Sequence, residues 1–202
     1  MSETAGSSPG PIGVVLAGGS GRRIGGAKAT VELWGVPLLA YPVGALQAVL
    51  DEVVVVAKRD TELPPLPGVG IWTEPDVPRH PLTGIVHALE QVDGRAILVC
   101  AGDLPFVTTL LVRELAYADA GGAPALVPRV GGRLQPLLAR YEASALAPLA
   151  AALRGAGRSA PLRELVAALA PRVLELADER QFFNVNRPED LLTASALLDP
   201  DP

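Results

Sequence analysis

The residues best equipped for chemistry are crowded into one stretch, Leu16-Ala17-Gly18-Gly19-Ser20-Gly21-Arg22-Arg23-Ile24-Gly25-Gly26-Ala27-Lys28. Five glycines fall within it, directly after an apolar run, and two arginines and a lysine share the loop. Glycine lets backbone N–H groups approach a ligand closely and turn together onto an anion, while fixed positive charge holds it there. Such a loop suits the phosphates of a nucleotide. Two familiar phosphate loops do not fit it. A dinucleotide fold wants Gly-x-Gly-x-x-Gly, but after Gly19-Ser20-Gly21 the next glycine comes one place late, at Gly25. A P-loop wants Gly-Lys and then Ser or Thr, whereas Ala27 precedes Lys28 and Ala29 follows it.

A carboxylate is placed to work with that loop. Arg95–Cys100 reads as a buried strand and runs into Ala101-Gly102-Asp103-Leu104-Pro105-Phe106. Pro105 holds Leu104 extended and so sets how the chain leaves the strand. Oxygen ligands suit Mg²⁺, which takes one or two carboxylates and completes its shell with substrate phosphates. Asp103 is therefore the candidate metal ligand; its plainer role is a turn or N-cap ahead of a helix at Thr108. Other polar residues have bland readings. His80 and His87 have no carboxylate or cysteine at metal-ligand spacing and read as structural or surface residues. Cys100 reads as a small core residue, not a nucleophile, and Trp34 and Trp72 as packing residues. Gln135 and Arg158 lie in segments able to face a second substrate. Glu189-Asp190 opens a helix after Pro188, where acidic side chains suit the helix dipole.

The elements that must position these residues alternate between short apolar runs and helical patterns, the mark of an α/β sandwich. Strands are expected at Ile12–Leu16, Glu52–Ala57, Val69–Thr73, Arg95–Cys100, Ala125–Arg129 and Arg172–Leu176, with extended chain over Leu134–Tyr141 and Phe182–Val185. Helices are expected over Pro37–Leu50, Leu82–Val92, Thr108–Ala118, Ala143–Leu153 and Pro161–Leu169, with a last one from about Arg187. Four consecutive valines, Val53 to Val56, suit a strand covered on both faces. The fold expected is a three-layer, Rossmann-like α/β domain with a mostly parallel central sheet, whose ligands sit beyond the carboxyl ends of the strands.

The whole chain sets outer bounds. Its 202 residues, about half of them apolar, are enough to bury a full core. Residues 1–11 read as a disordered tail and 12–198 as one domain. A formal charge of −5 argues against bulk nucleic-acid binding. The lone Cys100 excludes an intrachain disulfide, and the chain shows neither a signal-peptide pattern nor a membrane-spanning run. A cytoplasmic location is expected.

Together the motifs resemble the molybdenum cofactor guanylyltransferases, nucleotidyltransferases that join molybdenum-molybdopterin and GTP into a guanine dinucleotide cofactor with release of pyrophosphate. The resemblance spans Gly13 to Leu192. It rests on the Leu16–Lys28 loop, His80-Pro81-Leu82-Thr83-Gly84-Ile85, Cys100–Phe106, Gln135-Pro136-Leu137, and Phe182-Phe183-Asn184-Val185-Asn186-Arg187-Pro188-Glu189-Asp190-Leu191. The last block discriminates best, since the loop alone also admits sugar-phosphate and isoprenoid nucleotidyltransferases.

The resemblance implies a GTP site made by Leu16, Ala17, Gly18, Gly19, Lys28, Gly84 and Asp103, with an acidic contact from Glu74 or Asp76. It implies Mg²⁺ on Asp103, charge neutralisation by Arg23 and Lys28, and a pterin-facing role for Asn184 and Asn186. Implied partners are GTP, molybdenum-molybdopterin and molybdoenzyme apoproteins or delivery chaperones, with neither nucleic acid nor a membrane among them. Four positions depart from the family pattern: Ile24 stands for Met, Ala27 for Asp, Lys58 for an Asn after the second strand, and His80 for a Gly. Cytidine-specific relatives carry Ala where Gly18 stands, so Gly18 leans toward guanine. The rival readings are a cytidylyl or sugar-1-phosphate transferase and a non-catalytic pterin-cofactor carrier.

Overall fold

A computed structural model describes residues 10–18, 30–155 and 159–198. Most of the glycine-rich loop, including Gly19, Arg22, Arg23, Ile24, Ala27 and Lys28, lies outside the described residues, as does Arg158.

The sheet grows from the apolar runs. β1 (Ile12–Leu16) lies at its centre, paired in parallel with β4 (Val53–Ala57) on one side and β6 (Ile97–Ala101) on the other. Beyond β4 comes β5 (Gly70–Thr73), also parallel. Beyond β6 the direction reverses once, in β9 (Leu138–Tyr141), and then returns in β7 (Ala125–Val130) and β10 (Arg172–Glu175). The order is β10-β7-β9-β6-β1-β4-β5, with the short β8 (Arg133–Leu134) folded back on β7. β9 is thus the one reversed strand along this path, and the expectation of a mostly parallel sheet holds.

Strand alternation sends successive side chains to opposite faces, so two cores form. Val14, Val54 and Val56 face α2 (Pro81–Gln91), α4 (Leu146–Arg154) and α5 (Leu162–Ala167), meeting Leu82, Ile85, Leu149 and Val166. Val15, Val53 and Val55 face α1 (Ala40–Gln47) and α3 (Thr109–Tyr117), meeting Val43, Leu46, Leu111 and Leu115. The four-valine strand is buried on both faces, and three layers result.

Several local expectations need correction. The helix expected over Pro37–Leu50 is α1 alone; Val36–Pro37 forms β3, which pairs with β2 (Glu32–Leu33) in a hairpin. Trp34 is not a packing residue: it sits in the hairpin turn at φ 55°, is 57% exposed, and donates its indole N–H to Ser195 on α6 (Pro188–Leu198). Leu134–Tyr141 is not one extended run, because the chain turns at Gln135–Leu138 between β8 and β9. Phe182 closes a 3-10 turn at Arg180–Phe182, so extended chain begins only at Phe183. The expected tail contributes Gly10 and Pro11 to the described residues; Pro11 is buried, and Arg95 Nη2 donates to the Gly10 carbonyl at 2.9 Å.

One buried charge was not foreseen. Arg140, in the middle of β9 and 7% exposed, donates through Nη1 to the Leu115 and Ala116 carbonyls at 3.0 and 2.7 Å. These are end carbonyls of α3, which lack partners within their own helix. Its Nε meets Glu142 at 2.7 Å, so the guanidinium is paired as well as buried.

Candidate active site

The carboxyl ends of β1, β4, β5 and β6 lie side by side, and each delivers one piece of the site. Ala17 N–H donates to the Val56 carbonyl, and Glu74 N–H to the Ala57 carbonyl, both at 2.9 Å, so the parallel ladder continues one residue past the strands. Leu16, Ala17 and Gly18 leave β1 here, with Gly18 exposed. Lys58 follows β4, Glu74 follows β5 and Asp103 follows β6.

Asp103 is anchored on both sides. Its neighbour Gly102 donates a backbone N–H to the Leu16 carbonyl at 3.0 Å. That approach needs glycine, since a Cβ on Gly102 would come within 2.6 Å of Leu39 Cδ1 and 3.2 Å of the Leu16 oxygen. On the other side the Asp103 carbonyl accepts the Val185 N–H at 3.0 Å. Val185 is fully buried in a third apolar cluster with Leu33, Leu38, Phe106 and Ala194, while its neighbours Asn184 and Asn186 are exposed. Alternation along extended backbone therefore turns the two asparagines outward beside Asp103. The N-cap role considered for Asp103 belongs to Thr108, whose hydroxyl accepts the Leu111 N–H.

Glu74, and not Asp76, faces the nucleotide loop. Its side chain is 7% exposed and its Oε1 lies 3.1 Å from Lys58 Nζ, whereas Asp76 is exposed. The carboxylate occupies space that two glycines leave open: Oε1 is 3.0 Å from where a Gly18 Cβ would stand, and Oε2 is 3.1 Å from that of Gly84. Gly84, in the first turns of α2, is buried against Leu16 as well.

His80 has a structural role. It is the N-cap of α2, where Nδ1 accepts the Leu82 N–H at 3.1 Å and the opposite nitrogen lies 3.2 Å from the Ala160 carbonyl. An acceptor at Nδ1 and a carbonyl at Nε2 together assign the proton to Nε2. Cys100 is fully buried, and burial, with the Asp103 charge adding to it, pushes its thiol well above the ordinary range. Neither residue is poised as a nucleophile or base.

A cavity of about 350 Å³ opens beside Asp103, with Leu104 and Asn184 on its wall. Leu134 and Leu162 make it apolar, and Arg133 and Arg163 stand on it as exposed cations without a side-chain partner among the described residues. Gln135 reaches the same wall. The two arginines carry no motif signal; α5 and β8 are far apart in sequence and meet only through the fold. Among the described residues no three of His, Cys, Asp and Glu gather as a metal cluster. Asp103, just past β6, is the carboxylate that could hold a cation whose other ligands come from a substrate, as Mg²⁺ does with phosphates.

Gly18 and Asp103 on the carboxyl edge of a mostly parallel sheet suit a nucleotide-binding fold, and comparison with known proteins gives the class, a nucleotidyltransferase. Residues 13–173 match the family described as MobA-like NTP transferase domain. The probable molybdenum cofactor guanylyltransferase of Chloroflexus aggregans is 34% identical over 92% of this chain and 94% of its own. The molybdenum cofactor guanylyltransferase of Cereibacter sphaeroides is 32% identical over 94% and 98%. Among solved structures, molybdopterin-guanine dinucleotide biosynthesis protein A from Archaeoglobus fulgidus is 27% identical with a TM-score of 0.71, covering 92% of this chain and 97% of that one. A 2-C-methyl-D-erythritol 4-phosphate cytidylyltransferase from Thermus thermophilus, 24% identical with a TM-score of 0.69 over 93% and 98%, shares the fold. The chain belongs to the molybdenum cofactor guanylyltransferase family. No helix among the described residues is long and apolar enough to cross a membrane.

Proposed function

We propose that the protein transfers GMP from GTP to molybdenum-molybdopterin, giving the molybdopterin guanine dinucleotide cofactor and pyrophosphate. The observation that carries this reading is the double anchoring of Asp103, to Leu16 through Gly102 and to Val185 directly. One carboxylate thereby stands where the nucleotide loop and the asparagine-bearing segment meet. GTP lies along Leu16, Ala17, Gly18 and Gly19, with its base toward Glu74 and Gly84 and its triphosphate toward Lys28. The acceptor enters the cavity beside Asn184, with Asn186 at its edge, and Arg133 and Arg163 attract its negative charge.

The acceptor's terminal phosphate is already an anion near neutral pH. One of its oxygens attacks the α-phosphorus of GTP, the bond from that phosphorus to the bridging oxygen breaks, and pyrophosphate leaves with the electron pair. No proton has to be removed, which suits a site whose histidine is tied into a helix cap and whose cysteine is buried neutral. Catalysis then comes from positioning and charge neutralisation. Asp103 would hold Mg²⁺, which would supply positive charge to the phosphates. Arg23, Lys28 and the loop N–H groups would add to that charge neutralisation.

The test is incubation with molybdenum-molybdopterin, Mg²⁺ and each of the four nucleoside triphosphates, followed by product analysis. Guanine dinucleotide and pyrophosphate in equal amounts are expected with GTP. Asp103→Asn keeps size and hydrogen bonding but removes the charge; a folded variant without turnover is expected. Cofactor binding without pyrophosphate release in the natural protein would instead identify a carrier.

A further inference from the structure

We infer that Lys58 is a positioning residue for base selection: it pins the Glu74 carboxylate in the attitude that reads both hydrogen-bond donors on the Watson–Crick edge of guanine. This rests on GTP as the nucleotide donor. The two residues follow neighbouring parallel strands, in register where Ala57 faces Thr73. Lys58 Nζ lies 3.1 Å from Glu74 Oε1 and donates to the Pro75 carbonyl at 2.5 Å, with the two side chains only 10% and 7% exposed. This differs from a solvated surface pair, whose long side chains move freely. The ammonium is tied to the Glu74 side chain and to the backbone one residue further on, so it fixes the carboxylate against its own main chain.

The fixed carboxylate has a defined outlook. Its two oxygens fill the space that Gly18 and Gly84 leave open, at 3.0 and 3.1 Å from the Cβ positions those glycines lack. One of those glycines belongs to the nucleotide loop. A carboxylate accepts two parallel donors, and guanine is the base that offers them side by side, N1–H and N2–H. Cytosine and adenine offer one amino donor beside a ring acceptor, and uracil one N–H between two carbonyls. An Asn at position 58 lacks the charge and the reach to hold Glu74 in this way.

The experiment compares GTP with ITP, which lacks the 2-amino group, and with CTP and ATP, in the natural protein, Lys58→Arg, Lys58→Gln and Lys58→Met. Thermal melting checks folding. The natural protein should favour GTP over ITP by about 10–100-fold in kcat/KM, as expected for one hydrogen bond to a charged group. In Lys58→Met that ratio should fall to about threefold or less, with KM for GTP raised and kcat at saturation nearly unchanged. Lys58→Arg should restore most of the ratio, and Lys58→Gln carries the same test should the Met variant fail to fold. A purely structural Lys58 would lower melting temperature and leave the GTP to ITP ratio intact; that result in a folded variant overturns the proposal. A natural protein that does not prefer GTP to CTP and ATP sinks the GTP reading itself, a separate failure.

Discussion

Gly18→Ala tests the base site most sharply, because the added methyl group meets a single neighbour among the described residues. That neighbour is Glu74 Oε1, 3.0 Å from the new Cβ, where ordinary contact begins at 3.4 Å. Gly18 is not among the glycines with positive φ, so alanine meets no backbone strain there and, among the described residues, the effect passes through Glu74. The carboxylate must retreat by a few tenths of an ångström, yet Lys58 holds Oε1 at 3.1 Å. A hydrogen bond to a charged group contributes about 1.5–3 kcal/mol. Losing roughly half of one lowers GTP preference by about 1 kcal/mol, or about fivefold. The assay is kcat/KM for GTP over CTP in both proteins, with CTP use rising but GTP still accepted. Alanine also reduces the freedom of the unfolded chain by about 0.4–1 kcal/mol, which offsets the tight contact. Melting should therefore stay within about 3 °C of the natural protein. A folded variant whose GTP to CTP ratio is unchanged would refute the placement of guanine against Gly18 and Glu74.

Three further outcomes follow from the geometry. Asn184→Ala should raise KM for the pterin substrate several-fold while leaving GTP affinity intact, measured by calorimetry with each substrate alone; collapse of GTP binding would reverse the assignment of the two halves. Arg140→Met strands Glu142 and the last carbonyls of α3, and urea unfolding should report a loss of about 3 kcal/mol or more. Cys100 should resist iodoacetamide at pH 8.5 until the protein unfolds, because burial and then Asp103 raise its folded thiol pKa. The unfolded thiol ionises from about pH 8.5 upward while the folded one stays neutral, so this stabilisation is complete below that range and is lost as pH rises. Cys100→Ala should flatten that slope in melting curves taken between pH 8 and 10; an equal slope would assign it to other groups.

Much of this molecule could be read along the chain. The valine run of β4, the apolar runs of β1 and β6 and the helical spacing of α2 and α3 are local signals, and burial on alternate faces bears them out. Asp103 at the end of β6 was legible for the same reason: a carboxylate after a buried parallel strand has to emerge at the ligand edge. Other features were hidden because they join residues distant in sequence. Trp34 looked like core, but it is exposed and its indole N–H meets Ser195, far along the chain on α6. The reversal of β9 was invisible too, since a run of four buried residues reads alike in either direction.

The sequence by itself therefore determined the architecture and the sheet edge at which Asp103 emerges, because side-chain period and strand ends are properties of neighbours along the chain. Only the tertiary structure chose Glu74 over Asp76, paired it with Lys58, set Gly18 and Gly84 around it, and brought Arg133 and Arg163 to one cavity. Those outcomes depend on strand order and helix packing. No local pattern encodes which of two nearby carboxylates the sheet will turn toward a lysine sixteen residues upstream.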